Sequence, residues 1–271
     1  MVASEAPIGG EDGRTSALQR GLAILSVLGH QEALDSEGLG VVRIAELVGR
    51  EKSQVSRALR TLAAAGFAER DADTRRYRLG WQFFALGAGA GDSRLLQAAP
   101  PVLDELVDRT GETAHLSVLD GIEVLTLLSR APTAAVRASG WQGRRVPASC
   151  TASGRALLFD HSSAELQGRF ADRSLPRSGP NAAQSLAQLH ERVVGDRARG
   201  LAVADEELEV GLVAVAAPVR GARGAIVAAV NVSAPKFRLG AKLESAGRHV
   251  LAAAESLSSA LGNRATIGAA R

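Results

Sequence analysis

Six side chains suited to nucleic-acid contact fall within nine residues of this 271-residue chain: Lys52, Ser53, Gln54, Ser56, Arg57 and Arg60. Hydroxyls, an amide and guanidinium groups match the donors and acceptors of base edges in a major groove, and a nearby lysine matches phosphate. Their spacing says what must hold them. Val55, Ala58, Leu59, Leu62 and Ala65 recur at helical intervals, so a helix over about Glu51 to Ala65 buries that stripe. At about 100° per residue, Ser53, Ser56, Arg57 and Arg60 then share the opposite face. Lys52 and Gln54 lie in the first turn, whose free N–H groups favour phosphate.

A shorter helical segment with Ile44, Leu47 and Val48 precedes it and stops at Gly49. After Gly66, two alternating runs, Phe67 to Arg70 and Arg75 to Leu79, flank the turn Asp71-Ala72-Asp73-Thr74, which predicts a hairpin with Arg75 and Arg76 on its returning strand. From Arg50 to Arg78 there are eight basic and four acidic residues, a local excess of +4 against +3 for the whole chain. An amphipathic helix with a merely solvated charged face would explain the helix alone. The order helix, glycine, helix, hairpin favours a winged helix-turn-helix.

Catalytic chemistry finds less support. Gly-x-Ser-x-Gly, His-x-x-x-His and Cys-x-x-Cys are absent, and His30, His115, His161, His190 and His249 are scattered singly. Cys150, the single cysteine, stands among Ser, Thr and Ala and is expected to be a small packed side chain rather than a nucleophile. The run Gly87-Ala88-Gly89-Ala90-Gly91 follows no strand and lacks the further glycine of a nucleotide loop, so it is expected to end a linker. No enzyme activity, metal or cofactor is expected.

The segment GREKSQVSRALRTLAAAGFAERD, followed by RRYRLG, resembles the DNA-binding domain of the IclR family of bacterial transcriptional regulators. That family's Lys-Ser-x-Val-x-Arg-x-Leu-x-x-Leu pattern is matched by Lys52, Ser53, Val55, Arg57, Leu59 and Leu62, and its Tyr-Arg-Leu-Gly wing end by Tyr77 to Gly80. Ser56 stands where a histidine is frequent, and the connection from His30 to Gly40 is a few residues longer than usual.

The rest of the chain suits a second domain. A 46% hydrophobic and 23% charged composition is that of a globular protein, and a net charge of +3 with a pI near 9.6 does not by itself identify a nucleic-acid partner. One cysteine excludes an intramolecular disulfide, and no signal peptide or membrane-length apolar run is evident, so a cytoplasmic protein is expected. Ser16 with Gln19 reads as a capping box opening the first helix; Ser162 with Glu165 and Asn181 with Gln184 read likewise. Further helices are expected over Ser93 to Arg109, restarted at Pro100-Pro101, from Asn181 to Gly200, and over Ala241 to Leu261. Strands are expected at Thr113 to Leu119 and Ile122 to Leu128 around Asp120-Gly121, at Ala135 to Ser139 and Arg145 to Ala148, and at Leu212 to Val219 and Ala225 to Ser233. Such an order implies an antiparallel sheet with helices, an α+β chain overall.

This half also resembles the family's effector-binding domain, whose fold is related to GAF-type small-molecule sensors. One motif is matched by Gly143, Pro147, Ala152, Gly154, Arg155 and Ala156, with arginine in place of the usual lysine; a later one is matched by Asp205, Glu207, Gly211, Ala216, Pro218 and Val219. The resemblance implies a ligand cavity lined by Ala152, Ser153, Asp205, Ala214, Asn231 and Ser233, and dimers assembling to tetramers. Each position alone also has a bland role: Ser153 as a cap, Asp205 as a solvated turn residue, Asn231 as a satisfied core amide.

The expected organisation is a tail over 1–14, a winged helix-turn-helix over 15–80, a linker helix over 81–97, an effector-binding domain over 98–262 and a tail over 263–271. The expected function is a ligand-responsive regulator of a catabolic operon, binding double-stranded operator DNA through Lys52, Ser53, Gln54, Ser56, Arg57, Arg60, Arg75 and Arg76. Its effector is expected to be a small organic acid, aliphatic or of modest size because aromatics are scarce after Gly91. A metabolite-binding or catalytic domain whose helix-turn-helix serves only protein contact is the alternative, and a gel shift separates the two.

Overall fold

The computed structural model describes residues 16–87, 93–132, 141–170 and 174–263. The expected tail 1–14, most of the 263–271 tail, most of the Gly/Ala run after Gly87 and the strand expected at Ala135 to Ser139 lie outside these residues. The chain forms two compact units, Met1–Ser93 and Arg94–Arg271.

The first unit holds α1 (Ala17–Leu28), α2 (Gln31–Asp35), α3 (Val41–Val48), α4 (Lys52–Ala64), β1 (Ala68–Arg70), β2 (Tyr77–Leu79) and α5 (Gln82–Gly87). Ser16 and Gln19 cap α1 reciprocally: Gln19 N–H donates to Ser16 Oγ (3.1 Å) and Ser16 N–H to Gln19 Oε1 (2.8 Å). Ile24, Leu28, Ile44, Val55, Leu59 and Tyr77 form the core. On α3 it is Ala45 that turns inward beside Ile44, while Leu47, expected on the apolar stripe, is 42% exposed. Gly49 closes α3 in the left-handed region (φ 63°), which only glycine adopts without strain, and this reversal sets α4 against α3.

The hairpin β1–β2 pairs Ala68 with Leu79 and Arg70 with Tyr77. Its returning strand begins at Tyr77, not Arg75: Arg75 sits in the turn at φ 61°. Asp71 holds that turn by accepting N–H bonds from Thr74 (2.7 Å) and Asp73 (3.1 Å), and the bonds from Thr74 keep its carboxyl below the usual range. The long connection before α3 is not a plain loop. It contains α2 and adds one isolated bridge to the wing, with Leu39 and Tyr77 exchanging backbone bonds of 2.9 and 2.8 Å.

The second unit is a six-stranded antiparallel sheet with helices on both faces. In chain order it comprises α6 (Ser93–Thr110), β3 (Thr113–Asp120), β4 (Glu123–Arg130), β5 (Arg145–Pro147), a 3-10 turn (Ala148–Cys150), α7 (Ala152–Leu157), α8 (Ser163–Phe170) and α9 (Leu186–Arg199). Then come β6 (Ala202–Asp205), β7 (Leu212–Arg220), β8 (Ile226–Pro235), α10 (Lys236–Leu239), a second 3-10 turn (Gly240–Lys242) and α11 (Leu243–Ala260). The sheet order is β5-β4-β3-β8-β7-β6.

Strand alternation divides its two faces. Leu116, Val213, Val215, Val230 and Val232 meet α6 and α11 in one core; Ala216 and Ala229 face α7, α8 and α9 in the other. Two expectations are corrected here. Pro100 and Pro101 do not restart a helix but lie within the continuous α6. The carbonyls that lose a donor belong to Leu96 and Gln97, on an exposed face where water can take its place, while Leu95, Ala99, Leu103 and Leu106 anchor the buried face. And α9 is capped by Ser185, whose Oγ accepts from Gln188 N–H (3.2 Å), rather than by Asn181, whose amide donates to the Asp205 carbonyl (3.0 Å).

Candidate functional site

Two sites emerge, one in each unit. On α4, Val55 and Leu59 are fully buried, which forces Lys52, Ser53, Arg57 and Arg60 into solvent with Gln54 and Ser56 at the margin. The basic residues of this unit then separate by their partners. Arg43 pairs with Glu32 and Glu46, and Arg78 with Glu69. Arg70 lies over the Tyr77 ring at 5.5 Å. Arg76 Nη1 donates to the Ser36 carbonyl, so it braces the wing against the segment before α3 as well as facing solvent. Among the described residues Lys52, Arg57, Arg60 and Arg75 make no ion pair, leaving four cations along one helix face and a wing tip. A helix with exposed, uncompensated guanidinium groups beside a basic hairpin can enter a groove and neutralise phosphates.

The second site is a cavity between the sheet and the start of α7. Its cavity volume is about 50 Å³. Register builds its floor: Thr113, Ser233 and Ala214 lie opposite one another, as do His115, Asn231 and Ala216, and every second residue faces the cavity. Its roof is Cys150, Thr151, Ala152 and Ser153, with Ala204, Glu207 and Leu208 at one side and Trp141 at another. Gly154 lets the roof close down: a Cβ there would stand 2.0 Å from the Ala148 carbonyl oxygen.

Of the six expected lining residues, Ala152, Ser153, Ala214, Asn231 and Ser233 are brought together on this wall. Asp205 is not. Because Ala204 faces the cavity, the next residue of β6 points away, and Asp205 pairs with Lys236 at 2.8 Å. Ser153 Oγ–H donates to Asn231 Oδ1 (2.9 Å), which orients the amide NH₂ away from that bond.

Sequence reasoning missed His115, Ser117, Thr126, Trp141 and Glu207, all of which line the cavity. The imidazole is held between strands, with Nδ1 2.8 Å from Ser129 Oγ and Nε2 3.1 Å from Ser233 Oγ. Burial pushes its pKa down to about 4. The Trp141 ring centroid lies 5.8 Å from that of the imidazole, and Arg144 Cζ lies 4.5 Å from the indole centroid. Only the alternation of β3, with polar His115 and Ser117 interleaved with Ala114, Leu116 and Val118, signalled a polar wall in advance.

Behind the roof lies a buried ion network. Arg155 is 2% exposed; its Nε donates to Asp196, its Nη1 to Glu207 and its Nη2 to the Val203 carbonyl. Glu207 also pairs with Arg192 (3.0 Å) and Asp196 with Arg199. Burial pushes the Glu207 carboxyl above its ordinary value against the pull of Arg155 and Arg192. Glu207 thus belongs both to the cavity wall and to the network.

Cys150 and His115 line the same cavity, yet each is hydrogen-bonded to another partner and not to the other. The thiol donates to the Pro176 carbonyl (3.2 Å), and both imidazole nitrogens are engaged by serine hydroxyls.

Comparison with known proteins covers both units. The family model described as the IclR helix-turn-helix domain matches residues 17–72, and that described as bacterial transcriptional regulator IclR C-terminal matches residues 90–259. The chain is 34% identical over 264 residues to the HTH-type transcriptional regulator BhcR of Paracoccus denitrificans, covering 96% of this chain and 93% of that protein. Among solved structures, an IclR transcriptional regulator from Alicyclobacillus acidocaldarius aligns with a TM-score of 0.72 at 25% identity, over 92% of this chain and 100% of that one. An IclR homolog from Microbacterium hydrocarbonoxydans, solved as a complex with 4-hydroxybenzoate, shares the fold with a TM-score of 0.73 at 23% identity, over 91% of this chain and 99% of that one.

Proposed function

Since the chain belongs to the IclR family of bacterial transcriptional regulators, we propose that this DNA-binding regulator reads its operator with α4 and the wing and senses a small organic acid in the cavity of the second unit. The observation that carries the proposal is the pairing, on one chain, of an uncompensated basic helix face with a mostly apolar cavity that carries a few polar side chains. Ser53, Gln54, Ser56, Arg57 and Arg60 face base edges; Lys52, Arg75 and, in part, Arg76 face phosphates. Ser153, Asn231 and Ser233 offer hydroxyl and amide groups to the effector. Carboxylates are the first class to test, because the Microbacterium protein of the same fold was solved with one. The engaged thiol and imidazole favour a binding site over a catalytic one. Among the described residues no helix is long and apolar enough to cross a membrane, in keeping with a cytoplasmic regulator.

Arg57 and Lys52 test the DNA face. Arg57→Ala is expected to lose discrimination between operator and random DNA, because one bidentate guanidinium–guanine contact contributes about 1–3 kcal/mol. Lys52→Ala is expected to weaken both binding modes together and to lower the salt dependence by roughly one charge. Fluorescence anisotropy over a salt series measures both. Equal losses on operator and random DNA in Arg57→Ala would remove that residue from base readout.

Tight specific binding requires more contact than one winged helix supplies, so the regulator works as a dimer or tetramer on half-sites about 10 bp apart or a multiple of that. Leu18, Leu22 and Trp81, which are exposed on the first unit, are apolar surface that an oligomer would cover. A truncation ending at Gly91 is expected to keep its fold, since the first unit has its own core, but to bind operator at least tenfold more weakly. Footprinting that showed equal protection by truncated and full chains would refute the requirement for assembly.

A further inference from the structure

A carboxylate entering the cavity meets a charge problem. Among the described residues no lysine or arginine lines the wall, and the Glu207 carboxylate does. An ionised ligand is strongly disfavoured in such a place unless a positive charge and several hydrogen bonds meet it. Among the described lining residues only His115 can gain a positive charge at moderate pH. Resting on the effector reading above, we propose that His115 is the charge-balancing, specificity-determining residue of the cavity: an anionic ligand is taken up together with one proton from solvent, which the imidazole holds while Ser233 turns its hydroxyl hydrogen onto the ligand.

The hydrogen-bond geometry permits this without breaking a contact. His115 lies on β3 opposite Ser129-bearing β4 on one side and β8 on the other, and each ring nitrogen faces one serine oxygen. A neutral imidazole has one N–H, so one of the two serines must donate to the ring. A protonated ring donates to both oxygens, so the one serine hydrogen that the neutral ring had accepted is released; in the Nδ1–H tautomer that is the Ser233 hydrogen. Ser233 lines the cavity, so its released hydrogen can face a ligand oxygen. The gain in charge and the gain of a donor are one event.

The surroundings leave the charge to the ligand. Across from the ring stand Trp141, with Arg144 over the indole, and the neutral Asn231, Ser153 and Cys150. Glu207 is the acidic neighbour, and it already has Arg155 and Arg192 as partners. Burial holds the free imidazole at about pKa 4. A neighbouring carboxylate raises such a group by about 1–3 units, so at pH 5 binding should take up about 0.4 to 0.9 proton per ligand. The sign follows: proton uptake on binding means that affinity falls as pH rises, approaching tenfold per pH unit between the free and bound pKa values.

Sodium lactate, pyruvate and 4-hydroxybenzoate serve as probes, screened by Trp141 fluorescence in a Trp81→Phe background. Calorimetry of the tightest binder at pH 5, in two buffers of different ionisation enthalpy, counts the protons. We expect uptake in the stated range and its loss in His115→Gln. In the unsubstituted protein the His115 ring resonances should move to imidazolium positions as probe is added, a readout that does not depend on the variant folding. Binding without proton uptake, ring resonances that stay neutral, or uptake that survives His115→Gln and disappears in Glu207→Gln would each overturn the assignment while leaving the effector cavity standing. Failure of all three carboxylates to bind would instead overturn the organic-acid reading and this inference with it.

Discussion

Replacing Arg155 by alanine is expected to destabilise the second unit by about 3–5 kcal/mol at pH 7, a large part of the stability of an ordinary domain. Arg155 is 2% exposed and serves three acceptors from three directions: Asp196, Glu207 and the Val203 carbonyl. Without it, two carboxylates that are almost fully buried lose a partner, and a backbone carbonyl loses a donor. Arg192 and Arg199 remain, but both approach from the exposed side. The deficit should depend on pH. Burial already raises the Glu207 pKa, so its ionised form weighs against folding above that pKa and ceases to do so as pH falls through it. Removing Arg155 raises it further, and the difference between variant and parent should shrink from pH 7 to pH 5. Urea unfolding followed by Trp141 fluorescence, in a Trp81→Phe background, measures this. A difference below about 1 kcal/mol at pH 7 would show that the network is not held by Arg155.

The same geometry accounts for arginine where the family motif usually has lysine. One ammonium nitrogen cannot span three acceptors held by α9, β6 and the turn after β6, whereas a planar guanidinium presents donors on several sides at once. Arg155→Lys should therefore recover only part of the loss, although the charge is restored.

Local pattern made the first unit legible. The stripe Val55, Leu59 and Leu62 sets the orientation of α4 from sequence alone, and Gly49 and Ser16 mark ends that the backbone confirms. Asp120-Gly121 likewise announces the β3–β4 hairpin, whose register closes at Asp120 and Glu123. What escaped were features set by distant partners. β6 has four residues, too few for a period, and reads as an acidic turn until β7 pairs with it. The family resemblance puts Asp205 on the cavity, but a one-residue step on a strand reverses the face, and it is Ala204 that lines the wall. His115 and Ser233 are 118 positions apart, and only the adjacency of β3 and β8 joins them. Arg155 is hidden for another reason: arginine is rarely buried, so nothing local distinguishes it from a solvated residue.

Ser153→Trp is expected to abolish the effector's influence on operator binding while leaving operator affinity without effector unchanged. Ser153 is 5% exposed, stands on the second residue of α7 and reaches Asn231 across the cavity. An indole placed there overfills the cavity of about 50 Å³ between roof and floor and removes the hydroxyl that orients Asn231. Ligand affinity should fall by at least 100-fold, the order expected when a small pocket is filled and a polar contact is lost together. Operator affinity should persist because α4 and the wing belong to a unit with its own core. Regulation should vanish with binding, since a ligand shifts an equilibrium only through a difference in its affinity for the two states. The variant must first show a cooperative unfolding transition for the second unit; Ser153→Leu, which fills less space, serves where it does not. Calorimetry with the carboxylate that binds the parent chain decides the matter: unchanged affinity in a folded Ser153 variant would place the effector elsewhere in the molecule.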